Sequence, residues 1–72
     1  MLDNTTRIIE AVREHPMKQI TISQTAKLLN IPYIKAEKIL LDLEIMGLLY
    51  RTQQSKNGGY TYKIWHLKEV TP

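Results

Sequence analysis

The sequence predicts a mainly α domain with a small β-hairpin, an α+β class in which three helices precede the hairpin. Two observations support this. Apolar residues recur at helical spacing, with a break, between residues 22 and 49, and a Gly-Gly turn later separates two segments rich in β-branched and aromatic residues. The 72 residues can bury only a small core. We therefore expect one domain spanning residues 1–72.

The first helix is expected at about residues 4–15. Asp3 or Asn4 can cap its N-terminus, and the apolar residues that follow lie on one helical face. Pro16 disfavours helical backbone in the residue before it, which places the end of the helix there. A short apolar alternation then predicts a brief strand at about residues 20–22.

Two further helices, at about residues 24–29 and 32–46, are joined by a short turn. Ser23 is the expected N-cap of the second helix, and Asn30 tolerates the left-handed backbone of a tight turn. Gly47 can end the third helix in the same left-handed conformation. Three aliphatic residues of the third helix are expected to point inward: Ala36, Leu40 and Leu43.

The C-terminal third predicts a β-hairpin at about residues 48–67. The segments LLYRTQQ and YTYKIWHL favour strands, and SKNGG between them favours a turn. Every charged residue from position 46 to position 68 is basic, although the formal net charge of the whole chain is only +3. This distribution indicates a positive side suited to phosphates. The alternative is a solvated hairpin whose lysines serve solubility.

Composition argues against several classes of function. The chain has no cysteine, which excludes disulfides and thiolate metal sites. His15 and His66 lack companions at metal-ligand spacing, so we expect no metal and no cofactor. Paired carboxylates, a nucleophile with its base and a phosphate-binding glycine loop are all absent, so we expect no enzyme. No apolar run of membrane-spanning length and no signal-peptide pattern occurs, and we expect a cytoplasmic, nucleoid-associated protein without a membrane partner.

This order of elements resembles the winged-helix branch of the helix-turn-helix proteins, over nearly the whole chain. The most specific part is TAKLLNIPYIKAEKILLDLEIMGLL, which is similar to the family's run of small residue, leucine, turn residue and spaced core aliphatics ending in Gly-Leu. Asn30 stands where the family often has glycine, and Ala36 stands where a larger aliphatic is usual. The resemblance implies that the third helix enters the DNA major groove and that the hairpin, the wing, lies along the backbone or the neighbouring minor groove.

The start of the third helix is expected to face base edges. Lys35 and Lys38 can donate to guanine O6 and N7 or bind phosphate. Tyr33 can donate to a phosphate or stack, and Ile34 can contact a thymine methyl group. The alternative for Tyr33 and Ile34 is packing against the second helix or the wing. Glu37 lies among these residues and is the only acid there.

Backbone contacts are expected from two other places. The first turn of the second helix offers hydroxyls, an amide and unpaired N–H groups, from Ser23, Gln24 and Thr25. The wing offers cations around a flexible Gly-Gly loop, from Arg51, Lys56 and Lys63, with Asn57 at the tip. These residues are expected to position the protein on double-stranded DNA without specifying its sequence.

The third helix carries more apolar residues than one core face needs. A homodimer through Leu41, Ile45 and Trp65 would cover this surplus and would suit a palindromic site. The alternative is that the first helix and Leu2 already cover it, and Trp65 is otherwise expected in the core or at an interface.

The sequence thus favours a sequence-specific DNA-binding protein, a small transcriptional regulator. Two alternatives remain. One is a winged helix that binds protein within a larger assembly, which Glu37 slightly favours. The other is a left-handed DNA reader, because the Z-DNA-binding domains of RNA-editing adenosine deaminases are similar in length, turn proline and wing tryptophan. Those domains carry asparagine and tyrosine where this chain has Glu37 and Leu41.

Overall fold

The computed structural model describes residues 3–56 and 58–68, apart from the side chains at positions 56 and 60. Within these ranges the chain forms three helices and three strands, which confirms the predicted α+β class. In chain order they are α1 (Asn4–Glu14), β1 (Gln19–Thr21), α2 (Ile22–Leu29), α3 (Tyr33–Ile45), β2 (Leu49–Lys56) and β3 (Tyr60–Leu67).

Helix α1 begins with a side-chain cap, as expected from the sequence. The backbone N–H of Thr6 donates to the Asp3 carboxylate at 2.8 Å, which satisfies one of the unpaired donors at the helix start. Because this hydrogen bond favours the ionised form, it lowers the pKa of Asp3 below its ordinary value. Of the two caps that the sequence allowed, the structure uses Asp3.

Helix α2 begins earlier than predicted, and its cap is a different residue. Thr21, not Ser23, is the N-cap: its hydroxyl accepts from the N–H of Gln24 at 3.2 Å, and its own N–H donates to the Gln24 amide oxygen at 3.0 Å. This reciprocal pair is a capping box. The prediction of Ser23 as the cap was therefore wrong, because Thr21 ends strand β1 in extended backbone and can bond the third residue of the helix.

Both predicted helix stops are confirmed. Asn30 adopts the left-handed conformation, with φ 55° and ψ 52°, and the following N–H of Ile31 returns to Ala26 O at 3.1 Å. Gly47, with φ 80°, follows the last residues of α3, and the N–H of Leu48 bonds Leu43 O at 3.0 Å. The left-handed turns set the path from α2 to α3 and from α3 into the wing.

The three strands form one antiparallel sheet in the order β1-β3-β2. Strand β3 is central: Trp65 lies opposite Ile20 of β1 on one side and opposite Arg51 of β2 on the other. The wing is therefore continuous with the short strand that precedes α2. Because side chains alternate between the two faces, Lys63 and Trp65 share the face that contacts α3.

The core lies between the helices and the inner face of the sheet. The predicted inward residues of α3 are all buried: Ala36, Leu40 and Leu43. Trp65 is fully buried with them, which confirms its expected place in the core and removes it from the predicted dimer surface. A ring with no exposed area in the monomer cannot contact a second copy without unfolding, so that part of the prediction was wrong.

Candidate nucleic-acid interface

The outer side of α3 is a surface of four exposed residues at the start of the helix. Tyr33 is 54% exposed and Ile34 is 77% exposed, and Lys35 and Lys38 are also exposed. Ile34 is therefore not packed against α2 or the wing. Since successive helical residues are about 100° apart, Lys38 points away from the buried residue Leu40 and lies near the middle of the exposed face.

The side of α3 that faces the wing carries carboxylates. Glu37 Oε2 lies 3.5 Å from Lys63 Nζ, and Glu44 Oε1 lies 3.5 Å from Arg51 Nε. Glu44 Oε1 also accepts a hydrogen bond from Trp65 Nε1 at 3.0 Å. The two glutamates are seven residues apart, about two helical turns, and so lie on one face. They hold the base of the wing against α3 along two turns of the helix.

These pairs change the electrostatics that the sequence predicted. Arg51 and Lys63, which were expected to contact phosphates, each lie beside a carboxylate of α3. The paired side chains are about one third exposed, and ion pairs this exposed contribute at most about 1 kcal/mol. A phosphate can therefore compete for both cations. The side chain of Lys56, the third predicted wing cation, lies outside the part of the chain that the structure describes, and so does the whole of Asn57.

The first turn of α2 offers less than the sequence predicted. Ser23 is exposed, with its hydroxyl available because Thr21 provides the cap. Gln24 is exposed, but its amide oxygen is held in the capping box. Thr25 is fully buried and its hydroxyl donates to Thr21 O at 2.9 Å, so the prediction of a phosphate contact from its side chain was wrong.

A cleft of about 240 Å³ lies where the start of α2, the start of α3 and strand β3 meet. It brings together residues that the sequence placed in separate groups, namely Ser23 of α2, Tyr33 of α3 and Lys63 of the wing. The other residues of its wall are Thr21, Ile22, Glu37, Thr61 and Tyr62. Residues with hydroxyl groups, one lysine and one glutamate therefore line a cleft at the edge of the exposed face of α3.

Sequence reasoning placed Glu37 among the residues facing base edges and gave Glu44 no role. Both instead contact the wing. A signal for this was present, because the two acids recur at a spacing of two helical turns and the following hairpin carries only basic charges. What the chain alone did not show is which hairpin cations would lie opposite them.

The structure defines a winged helix-turn-helix fold, as the resemblance implied. It is similar to Stf76 from the Sulfolobus islandicus plasmid-virus pSSVx, with a TM-score of 0.77 and 19% identity over 96% of this chain and 86% of that chain. It is also similar to a Methanosarcina mazei Go1 protein described as a possible transcriptional regulator, with a TM-score of 0.75 and 17% identity. That likeness covers 96% of this chain and 57% of the other.

No family model and no curated protein matches the sequence. At identities below one fifth, the two structural likenesses show the fold alone. Within residues 3–56 and 58–68, none of the helices combines the length and the apolar character needed to cross a bilayer.

Proposed function

We propose that this protein binds double-stranded DNA in a sequence-specific manner and acts as a small transcriptional regulator. The observation that carries the proposal is the outer side of α3, where Lys35 and Lys38 are exposed and have no ion pair among the described residues. Two unpaired cations and an exposed Ile34 on one short helical surface are suited to base edges. The similarity to a protein described as a possible transcriptional regulator supports the same assignment.

In this proposal α3 lies in the major groove, which is wide enough to admit a helix. Lys38, near the middle of the exposed face, donates to guanine O6 and N7, and Lys35 donates to a base or a phosphate at one side of the groove. Ile34 contacts a thymine methyl group. The wing lies along the phosphate backbone beside α3.

The cleft beside α3 is the proposed position of a backbone phosphate. Ser23 and Tyr33 donate hydroxyl hydrogen bonds, and Lys63 contributes the charge. Glu37 then acts against binding, because its carboxylate neutralises Lys63 and repels the phosphate. Binding in the cleft requires Lys63 to exchange a weak surface ion pair for a contact with phosphate.

Salt dependence is the experiment that tests the proposed function. Binding of a labelled random duplex, followed by fluorescence anisotropy, should weaken linearly in log–log form as salt rises. About four neutralised phosphates would weaken binding on the order of 100-fold between 50 and 200 mM salt. Negligible binding at every salt concentration would contradict the proposal and favour the protein-binding alternative. A selection of bound sequences from a random pool would then test specificity.

A Glu37→Gln variant is expected to bind random duplex about three- to tenfold more tightly. Removing the carboxylate releases Lys63 and ends the repulsion of the phosphate, so the salt slope should steepen by about one phosphate. The matched control is Glu14→Gln, which removes an equal charge from the exposed end of α1. Equal tightening by both variants would mean that only net charge matters, and would contradict the proposed place of the phosphate.

A further inference from the structure

The outer face of α3 carries an apolar stripe that the proposed DNA contacts use only at one end. Ile34 and Ile45 lie on this face with Lys38 between them, and Leu41, which is partly buried against the core, lies at its edge. Ile45 is 83% exposed and Ile34 is 77% exposed, the two largest values among the described large hydrophobic residues. Single exposed aliphatic residues are ordinary, but these are aligned along one seam.

The proposed contacts with DNA do not account for the exposed Ile45 at the C-terminal end of α3. Ile45 is the last residue of α3 and lies eleven residues, or about 16 Å, along the helix from Ile34. Recognition helices contact base edges mainly through residues near their N-terminus. Ile45, which is 83% exposed in the monomer, therefore remains exposed in the proposed complex with DNA.

The charges beside the stripe are arranged with opposite signs at its two ends. Lys35 lies on one flank near the start of α3, and Asp42 lies on the same flank two turns later. Both are exposed and neither has an ion pair among the described residues. A second copy of α3 running antiparallel places Lys35 of each copy beside Asp42 of the other. Antiparallel packing also sets the positive end of each helix dipole beside the negative end of its neighbour.

The same antiparallel register matches the apolar residues. With a two-fold axis at the level of Ile39 and Leu40, Ile34 of one copy meets Ile45 of the other, and Lys38 lies against Leu41. In a parallel pair the Lys35–Asp42 flanks of the two copies lie on opposite sides of the seam, so these charges do not pair. Apolar matching and charge matching thus select the same arrangement and the same partner, a second copy of this chain.

We propose that two copies pair through this antiparallel α3 seam, and that pairing and DNA binding exclude each other. The second half rests on the proposed function, because the seam includes Ile34 and Lys38 and covers the surface that would enter the major groove. Two single helix faces bury far less than the roughly 1,600 Å² of a standard interface, so the pairing is weak and DNA can displace it. This dimer differs from the one predicted from sequence, which included Trp65.

Disulfide cross-linking tests the register. The chain has no cysteine, so Ile34→Cys and Ile45→Cys each introduce one thiol at an exposed site. When the two variants are mixed and oxidised, the mixed disulfide is expected to exceed either homodimer. The control mixture pairs Ile34→Cys with Met17→Cys, a similarly exposed position before β1. A mixed product no more abundant than the control, or a dominant Ile34→Cys homodimer, would overturn the antiparallel seam.

Sedimentation equilibrium without DNA tests the pairing itself. The apparent mass of the 8.4 kDa chain should rise toward twice that value with concentration, and Ile45→Asn should keep it at the monomer value. Met46→Asn, at an exposed residue outside the seam, should pair as the parent does. Asp42→Lys should weaken pairing at least tenfold, and adding Lys35→Glu should restore it. A parent that stays monomeric, or a charge exchange without rescue, would overturn the proposal.

Competition with DNA separates this proposal from the proposed function. Adding a short random duplex to the self-paired protein should give complexes that contain monomeric protein. The dimer joined by a disulfide between the Ile34→Cys and Ile45→Cys variants should not bind DNA. If that dimer binds duplex as tightly as the reduced protein, mutual exclusion is overturned. Pairing without any DNA binding would contradict the proposed function alone, and DNA binding by a protein that never pairs would contradict the seam alone.

Discussion

Replacing Lys35 and Lys38 together with alanine is expected to weaken duplex binding by at least about 30-fold. Each lysine is exposed, lacks an ion pair among the described residues and lies on the side of α3 away from the core. A direct base contact contributes about 1–3 kcal/mol, so two such losses add to about 2–6 kcal/mol, a factor of about 30 or more in affinity. Anisotropy with random and selected duplexes measures both affinity and sequence preference.

The matched control removes two cations elsewhere. Arg13→Ala with Lys27→Ala lowers the net charge equally, at exposed residues in the last turns of α1 and α2. We expect this double variant to retain binding within a few-fold. If both double variants lose affinity alike, general electrostatic attraction accounts for binding and α3 is not the reading element. If the α3 variant retains full affinity, the assignment of this face is wrong.

Replacing Trp65 with alanine is expected to remove a large part of the stability of the protein at 25 °C. Trp65 is fully buried, and its Nε1 donates to Glu44 of α3 at 3.0 Å. Truncating a buried tryptophan costs about 3–5 kcal/mol, and a domain of this length has a total stability of roughly 4–11 kcal/mol. Urea denaturation followed by circular dichroism measures the loss without depending on tryptophan fluorescence, since Trp65 is the chain's single tryptophan.

Trp65→Phe is the informative comparison. It keeps much of the buried ring but removes the Nε1 donor, so we expect a loss near 1–3 kcal/mol and a folded protein. The difference between the alanine and phenylalanine variants then measures the contribution of a buried aromatic ring at this position. A Trp65→Ala protein with an unchanged urea midpoint would show that the base of the wing contributes nothing to the core, contrary to the structure.

Local chemistry made much of the fold predictable. The turn between α2 and α3 needed a residue that tolerates a left-handed backbone, and Asn30 meets that need. Gly47 acts in the same way at the end of α3. The burial of Thr25 was also within reach, because it lies on one helical face with Ile22 and Leu29, both of which are buried. The hydroxyl group of Thr25 favoured an exposed position, although the helical periodicity indicated a buried one.

The remaining differences depend on contacts between distant parts of the chain. Thr21 and Ser23 both have the chemistry of an N-cap, and pairing of Thr21 with Ile64 of β3 holds it in extended backbone at the helix start. Period-two alternation could not say which face of β3 is inside, because Ile64 and Trp65 are adjacent, apolar and both buried. The glutamates of α3 likewise find their partners only once the hairpin folds back.

Thr21 ends strand β1 and caps helix α2 at the same position, so no linker residue lies between sheet and helix. The direct junction of β1 with α2 joins the helix that carries Ser23 to the sheet that carries Lys63 on strand β3. We therefore expect little variation in the spacing between Ser23 and Lys63, the two residues proposed to contact the sugar-phosphate chain. In that case the domain would discriminate among duplexes partly by local groove width, a property that varies with sequence even where no base is touched.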